Sequence, residues 1–270
     1  MRRGRASDFP DRQPPAFCRH AASRFKMNLT THLKHGREAF LDRAADAATW
    51  ENRLFSGTTY ALWRASREVM QQHCSGLALD AGSGRESWKQ TVLRSASGYE
   101  SIDIAPRGES HPTWIGDVTN MPAVPDARYD TVVCHQVLEH VRRPWAAIAE
   151  FHRVLKPGGK LIISAPHLSR RHELPHDYFR FTQEGMAALL EDASFTGISV
   201  RTYGGIAAFL HHQLSFFFPG LFVGLPLVGP VTLALNAPLS WLSATVDDLL
   251  DRPRLMPVGV IAVATKPGGS

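Results

Sequence analysis

Three aspartates stand at intervals in the middle of this 270-residue chain: Asp80 in ALDAGSGRESW, Asp103 in YESIDIAP and Asp117 in WIGDVTNMP. Each follows a short apolar run, and the first is followed at once by Gly82 and Gly84. A glycine-rich turn between a strand and a helix lets the backbone approach a ligand closely, with the helix amides aimed at it. A dinucleotide fingerprint would have another glycine three positions after Gly84, where Ser87 stands, so a tightly held pyrophosphate is disfavoured. An acid at Asp80 suits a positively charged amino group better than a phosphate. Asp103 lies 23 positions further on, close to the roughly 20 expected of a carboxylate that accepts both ribose hydroxyls of a nucleoside. Asp117 is placed to accept an exocyclic amine of adenine. Any one of the three could be a loop-capping aspartate. Three strand ends in succession, along the edge where open parallel sheets bind ligands, argue for a nucleoside site.

Histidines supply the candidate acid–base chemistry. His135 follows an apolar run, DTVVCH, and is read equally as a proton acceptor, as a ring stacked on a nucleoside, or as a cap for the following VLEHV. His140, within VLEHV, is read as structural. A second group lies in APHLSRRHELPHDYFRFT, with His167, His172, His176, Asp177, Tyr178 and Arg180. Its histidines are spaced by five and four, precede no evident helix and are interrupted by Pro175, so no metal is assigned. Cys18, Cys74 and Cys134 form no CxxC pair, which argues against a disulfide framework and a cysteine zinc site.

The elements that must hold these residues read as a parallel sheet covered on both faces, with strands at 77–79, 99–104, 113–115, 131–134 and 160–164 and final strands at 197–201 and 258–264. Between the fourth and fifth strands, WAAIAEFHRVL has the apolar spacing of an amphipathic helix, ended by Pro157, Gly158 and Gly159 in KPGGK. Residues 36–73 read as helices that cap the sheet.

The series LDAGSG, SIDIA, GDVTNMP, YDTVVCHQVLEHV and EFHRVLKPGGKLIISAP, spanning residues 76–166, resembles the class I S-adenosylmethionine-dependent methyltransferases of the type 11-like group. The resemblance implies an α/β fold: a single doubly wound, Rossmann-like sheet, mostly parallel with the last strand antiparallel, with N-terminal helices and a hydrophobic helical insertion before that strand. It implies S-adenosylmethionine as cofactor, with Asp80, Ala81, Gly82, Ser83 and Gly84 at the methionine end, Asp103 and Ile104 at the ribose, Asp117 and Val118 at the adenine, and His135 beside cofactor and acceptor. Many members have a third glycine where this chain has Glu86. HDYFRFT with EGMAALLEDASF resembles a signature of methyltransferases associated with cell-envelope glycan or lipid biosynthesis. By that resemblance the loop covers the active site, with His172 or His176 as general base beside His135, and Asp177, Tyr178 and Arg180 as loop residues facing the substrate. A plainer reading keeps the loop together through an Asp177–Arg180 contact with Tyr178 and Phe181 in the core.

Charge narrows the partners. The net +5 resides in residues 1–26, which hold 7 basic and 2 acidic side chains and leave 23 of each in the remainder. That arm, with Pro10, Pro14 and Pro15, reads as disordered, and Met27 is a candidate start. It lacks the apolar core of about 7 to 15 residues that a secretion signal needs, so a cytoplasmic location is expected. The neutral remainder argues against a nucleic-acid partner.

After Arg201 no Asp, Glu, Lys or Arg occurs until Asp247, a run of 45 positions. Its length meets the criterion for a membrane span. Because it lies between two strands of one sheet it must leave and return on the same side, and Pro219, Pro226, Pro230 and Pro238 are expected to break it into two or three short helices. Such helices, carrying Phe216, Phe217, Phe218, Phe222 and Leu225, would rest on a membrane surface from the cytoplasmic side, cover the acceptor pocket, or form a homodimer contact. The expected organisation is therefore a basic arm (1–26), a helical cap (27–75), the core (76–204), a hydrophobic insertion (205–257) and a last strand with tail (258–270). The function read from both halves is methyl transfer, with oxygen the favoured atom, to a small-molecule or glycan acceptor that is apolar or lipid-linked: a polyprenyl-linked saccharide, a lipid or a quinone-like ring. The alternatives are a cofactor-free interaction module and an RNA methyltransferase.

Overall fold

The computed structural model describes residues 56–222, 228–250 and 254–268. The expectations for the basic arm, Met27 and the helices before residue 56, for Leu225 and Pro226, and for the side chains of Phe216, Phe217, Phe218 and Phe222 lie outside what is described.

A helix α1 (Gly57–His73) precedes the sheet, its first turn capped by Ser56, whose hydroxyl accepts from the Thr59 amide at 3.2 Å. The strands are β1 (Leu77–Ala81), β2 (Gly98–Asp103), β3 (Trp114–Ile115), β4 (Tyr129–His135), β5 (Leu155–Pro166), β6 (Thr196–Tyr203) and β7 (Gly259–Thr265). They lie in the order β3-β2-β1-β4-β5-β7-β6, with β7 antiparallel to both neighbours and the other pairings parallel. This is the expected mostly parallel sheet with its last strand reversed. The order turns back between β1 and β4, so the loops after these two strands diverge and leave a crevice at their carboxyl ends.

A short helix α2 (Lys89–Val92) lies between β1 and β2, and both faces of the central strands are buried. Val132 and Cys134 of β4, Leu161 and Ile163 of β5 and Val260 and Ala262 of β7 pack on one face, against helices α3 (Pro144–Val154) and α4 (Gln183–Asp192) through Ile148, Phe151, Met186 and Leu190. The intervening Val133, Ile162 and Ile261 pack on the other, against Leu62, Val69 and Met70 of α1. Alternation places successive side chains on opposite faces, and each face has a helical layer to bury it.

Three local expectations need correction. KPGGK does not end α3 as a glycine cap: the helix stops at Leu155, and Lys156 to Gly159 open a long β5 whose register with β4 shifts between Tyr129 and Thr131. VLEHV is no helix beyond a single 3-10 turn at Leu138–His140. The charge-free segment forms two long helices instead of short ones, α5 (Ile206–Phe222) and α6 (Val228–Leu250), and α5 runs through Pro219 and α6 through Pro238. Packing of the two helices on each other and on α1 outweighs the lost backbone bonds. Among the described residues no helix is long and apolar enough to cross a membrane.

The hairpin is held from within by polar contacts. Asp247 of α6 accepts from the amides of Ala207 and Ala208 at 2.8 and 3.0 Å, capping the start of α5 from another helix. The Ser215 hydroxyl donates to Asn236 Oδ1 at 3.0 Å, His211 Nδ1 accepts from the Gly57 amide, and Arg64 of α1 pairs with Asp248 through two hydrogen bonds. Asn236, Ser240, Ser243, Ala244 and Asp247 are buried, whereas Leu235, Leu239, Trp241, Leu242, Leu249 and Leu250 are exposed. Helix α6 is inverted with respect to an ordinary surface helix, whose apolar stripe faces the core.

Candidate active site

A short Gly-rich turn leaves β1 and runs beneath the carboxyl ends of β2 and β4. Gly82 and Gly84 hold φ angles of 75° and 56°, in the left-handed region that favours glycine. A Cβ on Gly82 would meet Val137 at 2.5 Å, whereas one on Gly84 would meet nothing within 4 Å. Gly82 thus packs the turn closely onto the β4 loop, and Gly84 leaves space on the cavity side. Glu86, where many methyltransferases have glycine, holds φ 55° and is kept there by its carboxylate, which accepts from Ser101 Oγ at 2.7 Å and pairs with Lys89 at 3.1 Å.

The turn borders a cavity of about 740 Å³ between the β1, β2, β3 and β4 loops, large enough for a nucleoside-sized ligand together with part of a second molecule. Gly82, Ser83, Gly84, Asp103, Ile104, Asp117, Val118 and His135 line it. Asp103 is buried and accepts from the Gly84 amide at 2.7 Å, so the carboxylate also fixes the turn. Asp117 is exposed and accepts from the Thr119 amide at 2.8 Å, the local bond of a loop-capping aspartate. Two buried polar atoms on this wall, Ser83 Oγ and His135 Nε2, have no partner among the described residues. Orphaned groups are costly to bury unless a ligand satisfies them, so the wall fits a polar ligand.

Asp80 and Ala81 do not line the cavity. Asp80 sits behind the turn, buried, with its Oδ2 accepting from the Tyr99 hydroxyl at 2.8 Å. Burial raises its carboxyl to about 7, against the Tyr99 hydrogen bond and with help from Glu86 and Asp103.

The histidines separate by environment. His135 is buried against Trp88, with ring centroids 4.7 Å apart, and its Nδ1 lies 2.8 Å from Ser164 Oγ. Burial pushes it down to about 3, so it is neutral and a weak proton acceptor. His176 lines the cavity, is exposed, and places Nδ1 2.9 Å from the Tyr178 hydroxyl. His172 does not line the cavity; its ring meets His140 edge-on at 4.7 Å. Tyr178 is on the cavity wall, while Asp177 and Arg180 form the loop's internal brace. Arg180 donates to both Asp177 oxygens at 2.6 and 3.0 Å and to the Arg170 carbonyl at 2.8 Å, and it holds Asp177 down to about 2. Phe181 is core. The loop docks on the 3-10 turn: the Tyr178 amide donates to the Glu139 carbonyl at 2.8 Å, and His140 Nδ1 lies 2.7 Å from the His176 carbonyl.

Several cavity residues carry no motif in the sequence. Trp88 and Gln136 line it, Gln136 at φ 55°, and so do Arg85, Arg107, Arg142 and Arg143. The arginines come from three loops distant in sequence, and only the folded chain brings them to one rim.

Residues 79–163 match the family model described as a methyltransferase domain. The chain is 27% identical to demethylmenaquinone methyltransferase of Tropheryma whipplei over 179 residues, 61% of this chain and 74% of that one. It is 32% identical to ubiquinone biosynthesis O-methyltransferase of Xanthomonas euvesicatoria pv. vesicatoria over 157 residues, 51% of this chain and 66% of that one. The chain is a class I S-adenosylmethionine-dependent methyltransferase. Solved structures agree on the fold. The chain solved with the Haloferax volcanii Trm112 methyltransferase activator superimposes at TM-score 0.53 with 15% identity, over 87% of this methyltransferase and 98% of that chain. A phosphoethanolamine N-methyltransferase of Haemonchus contortus, solved with S-adenosyl-L-methionine, does so at 0.51 with 15% identity, over 76% and 53%. The methyltransferase is an enzyme that uses S-adenosylmethionine.

Proposed function

We propose that this methyltransferase transfers the methyl group of S-adenosylmethionine to a hydroxyl oxygen of an apolar or lipid-linked acceptor, working against a membrane from its cytoplasmic side. The observation that carries the reading is the inverted helix α6, whose polar seam faces inward and whose leucines and Trp241 face outward. An apolar surface of this extent needs a partner, and a shallow apolar hairpin suits the headgroup boundary of a bilayer. The arginines around the cavity suit an anionic group, such as the phosphate of a lipid-linked substrate. Two relatives are named for quinones, which belong to the same broad acceptor class.

The cofactor supplies an already activated methyl group on a sulfonium, so the protein's task is alignment and removal of one proton. In this reading Gly82, Ser83 and Gly84 cradle the methionine portion, with Ala81 and the Asp80 carboxyl behind them, Asp103 and Ile104 meet the ribose, and Asp117 and Val118 meet the adenine. His135, neutral and stacked on Trp88, orients the cofactor and gives its orphaned Nε2 a partner. His176, on the cavity wall beside Tyr178, would take the acceptor's hydroxyl proton during the transfer. Asp177, Arg180 and His172 position that loop.

Incubating the protein with methyl-labelled S-adenosylmethionine and fractionated extract is expected to label the lipid phase; label confined to the aqueous phase would refute the acceptor class. The variant Leu239→Lys/Trp241→Lys is expected to bind cofactor as the wild type does and to lose flotation with liposomes. A wild type that does not float but dimerises with concentration would assign the hairpin face to self-association.

A further inference from the structure

The strongest unassigned feature is a buried carboxylate faced by two imidazoles, neither of them close enough for an ordinary hydrogen bond. Glu139 has no exposure to solvent, and among the described residues neither of its oxygens has a partner within 3.5 Å. Such a group is costly unless it is neutralised or ligated. Two imidazole nitrogens face it: Nε2 of His140 and Nε2 of His172 each lie 3.8 Å from Glu139 Oε1.

The tautomers follow from the far side of each ring. His140 Nδ1 lies 2.7 Å from the His176 carbonyl and His172 Nδ1 lies 3.2 Å from the Arg170 carbonyl. A carbonyl only accepts, so each Nδ1 carries its hydrogen and Nε2 is the ring atom turned toward Glu139, where, against the effect of burial, Glu139 favours a proton on His172 and an ion would take that proton's place. Carbonyl-anchored histidines of this kind are the usual outer support of metal ligands. The three ligand atoms lie within 4.8 Å of one another. Atoms each about 2.1 Å from a tetrahedral ion lie about 3.4 Å apart, so closing on an ion needs each imidazole nitrogen to move about 0.4 Å toward Glu139 and the two rings to approach one another by up to about 1.4 Å.

We propose that Glu139, His140 and His172 bind a divalent first-row transition ion, with zinc fitting the two imidazoles and one carboxylate. Three protein ligands leave a position open. His140 also lines the cavity, next to His176 and Tyr178, so that position suits an oxygen of the acceptor, whose hydroxyl proton the ion would make easier to remove. This second part rests on the transfer proposed above; the ion site itself does not.

Untagged full-length protein, stripped with chelator, is to be titrated with zinc by calorimetry and with cobalt by visible absorption. The expected result is one equivalent bound at micromolar or tighter affinity, a cobalt spectrum of a low-coordinate site, and a loss of at least tenfold in affinity for Glu139→Gln and for His172→Ala. Absence of zinc binding by the wild type, or unchanged binding by both variants, would overturn the site and leave a Glu139–imidazolium ion pair. His172→Ala lies in a surface loop and keeps the test available if Glu139→Gln does not fold. S-adenosylmethionine binding, measured in the same samples, separates the two readings: zinc bound without cofactor leaves the ion site standing, and cofactor bound without zinc leaves the methyltransfer standing.

Discussion

Asp80 has almost no contact with water, and its carboxyl is raised from 3.8 to about 7, by burial above all. An acid raised by folding prefers its protonated form: its contribution to stability is fully present below about 3.8 and is lost as pH rises through about 7. Asp80→Asn, which can still accept from Tyr99, is expected to melt several degrees above the wild type at pH 8 and close to it near pH 4. A cationic cofactor arriving nearby favours the ionised form, so binding near pH 6.5 is expected to release a proton in wild type and none in Asp80→Asn, as read by calorimetry in buffers of different ionisation enthalpy. His176 and His135 make a second contrast. Removing the exposed base, His176→Ala, is expected to lower kcat by about 100-fold or more with little change in cofactor affinity. His135→Gln, replacing a ring already held near 3, is expected to act chiefly on the KM for cofactor. The Gly-rich turn and the place of Asp103 and Asp117 beside a cavity were legible because turn chemistry is local; that Asp80 sits behind the turn was not. The cluster of Glu139, His140 and His172 was not, because His172 lies 32 positions beyond His140 and joins the adjacent Glu139 and His140 only when the loop docks on the 3-10 turn.

At the scale of elements, the sheet order followed from the succession of apolar runs and helices, since a strand buried on both faces leaves little choice of period. The prolines misled. Pro219 and Pro238 lie within helices because α1, α5 and α6 bury one another, and that burial is a long-range term no local propensity contains. The bond from Asp247 to the first amides of α5 is correspondingly important, being buried and charged. Asp247→Ala is expected to cost about 1 to 2 kcal/mol in chemical denaturation, in the range of a lost helix cap. Arg64→Ala, at a pair about 40% exposed, is expected to cost less than about 1 kcal/mol. Equal losses for the two would contradict this ranking.

For the whole molecule, the proposed division of labour, a sheet that holds the cofactor and a hairpin that meets a membrane, predicts how vesicle binding responds to salt. The exposed side of α6 displays leucine and tryptophan, and the excess positive charge of the chain resides in residues 1–26. Flotation with neutral phosphatidylcholine vesicles is therefore expected to persist at 0.5 M salt, where charge attraction is screened to roughly 5 Å, and after removal of residues 1–26. Loss of binding under either condition would transfer the membrane contact to the basic arm. The segment's length and lack of charge were legible in the sequence; its inversion was not, because serines and an asparagine at helical spacing look like an outward face until their partners are known.

That inversion bears on what happens when the surroundings change. A hairpin glued by leucines has no reason to stay closed once hydrocarbon surrounds it, because the solvent is then as good a neighbour as the other helix. Here the seam is made of Ser215 with Asn236 and of Asp247 with two amides, contacts that strengthen as water withdraws. On the proposed membrane contact, the hairpin would therefore keep its inner grip unchanged when its outer face leaves water for lipid.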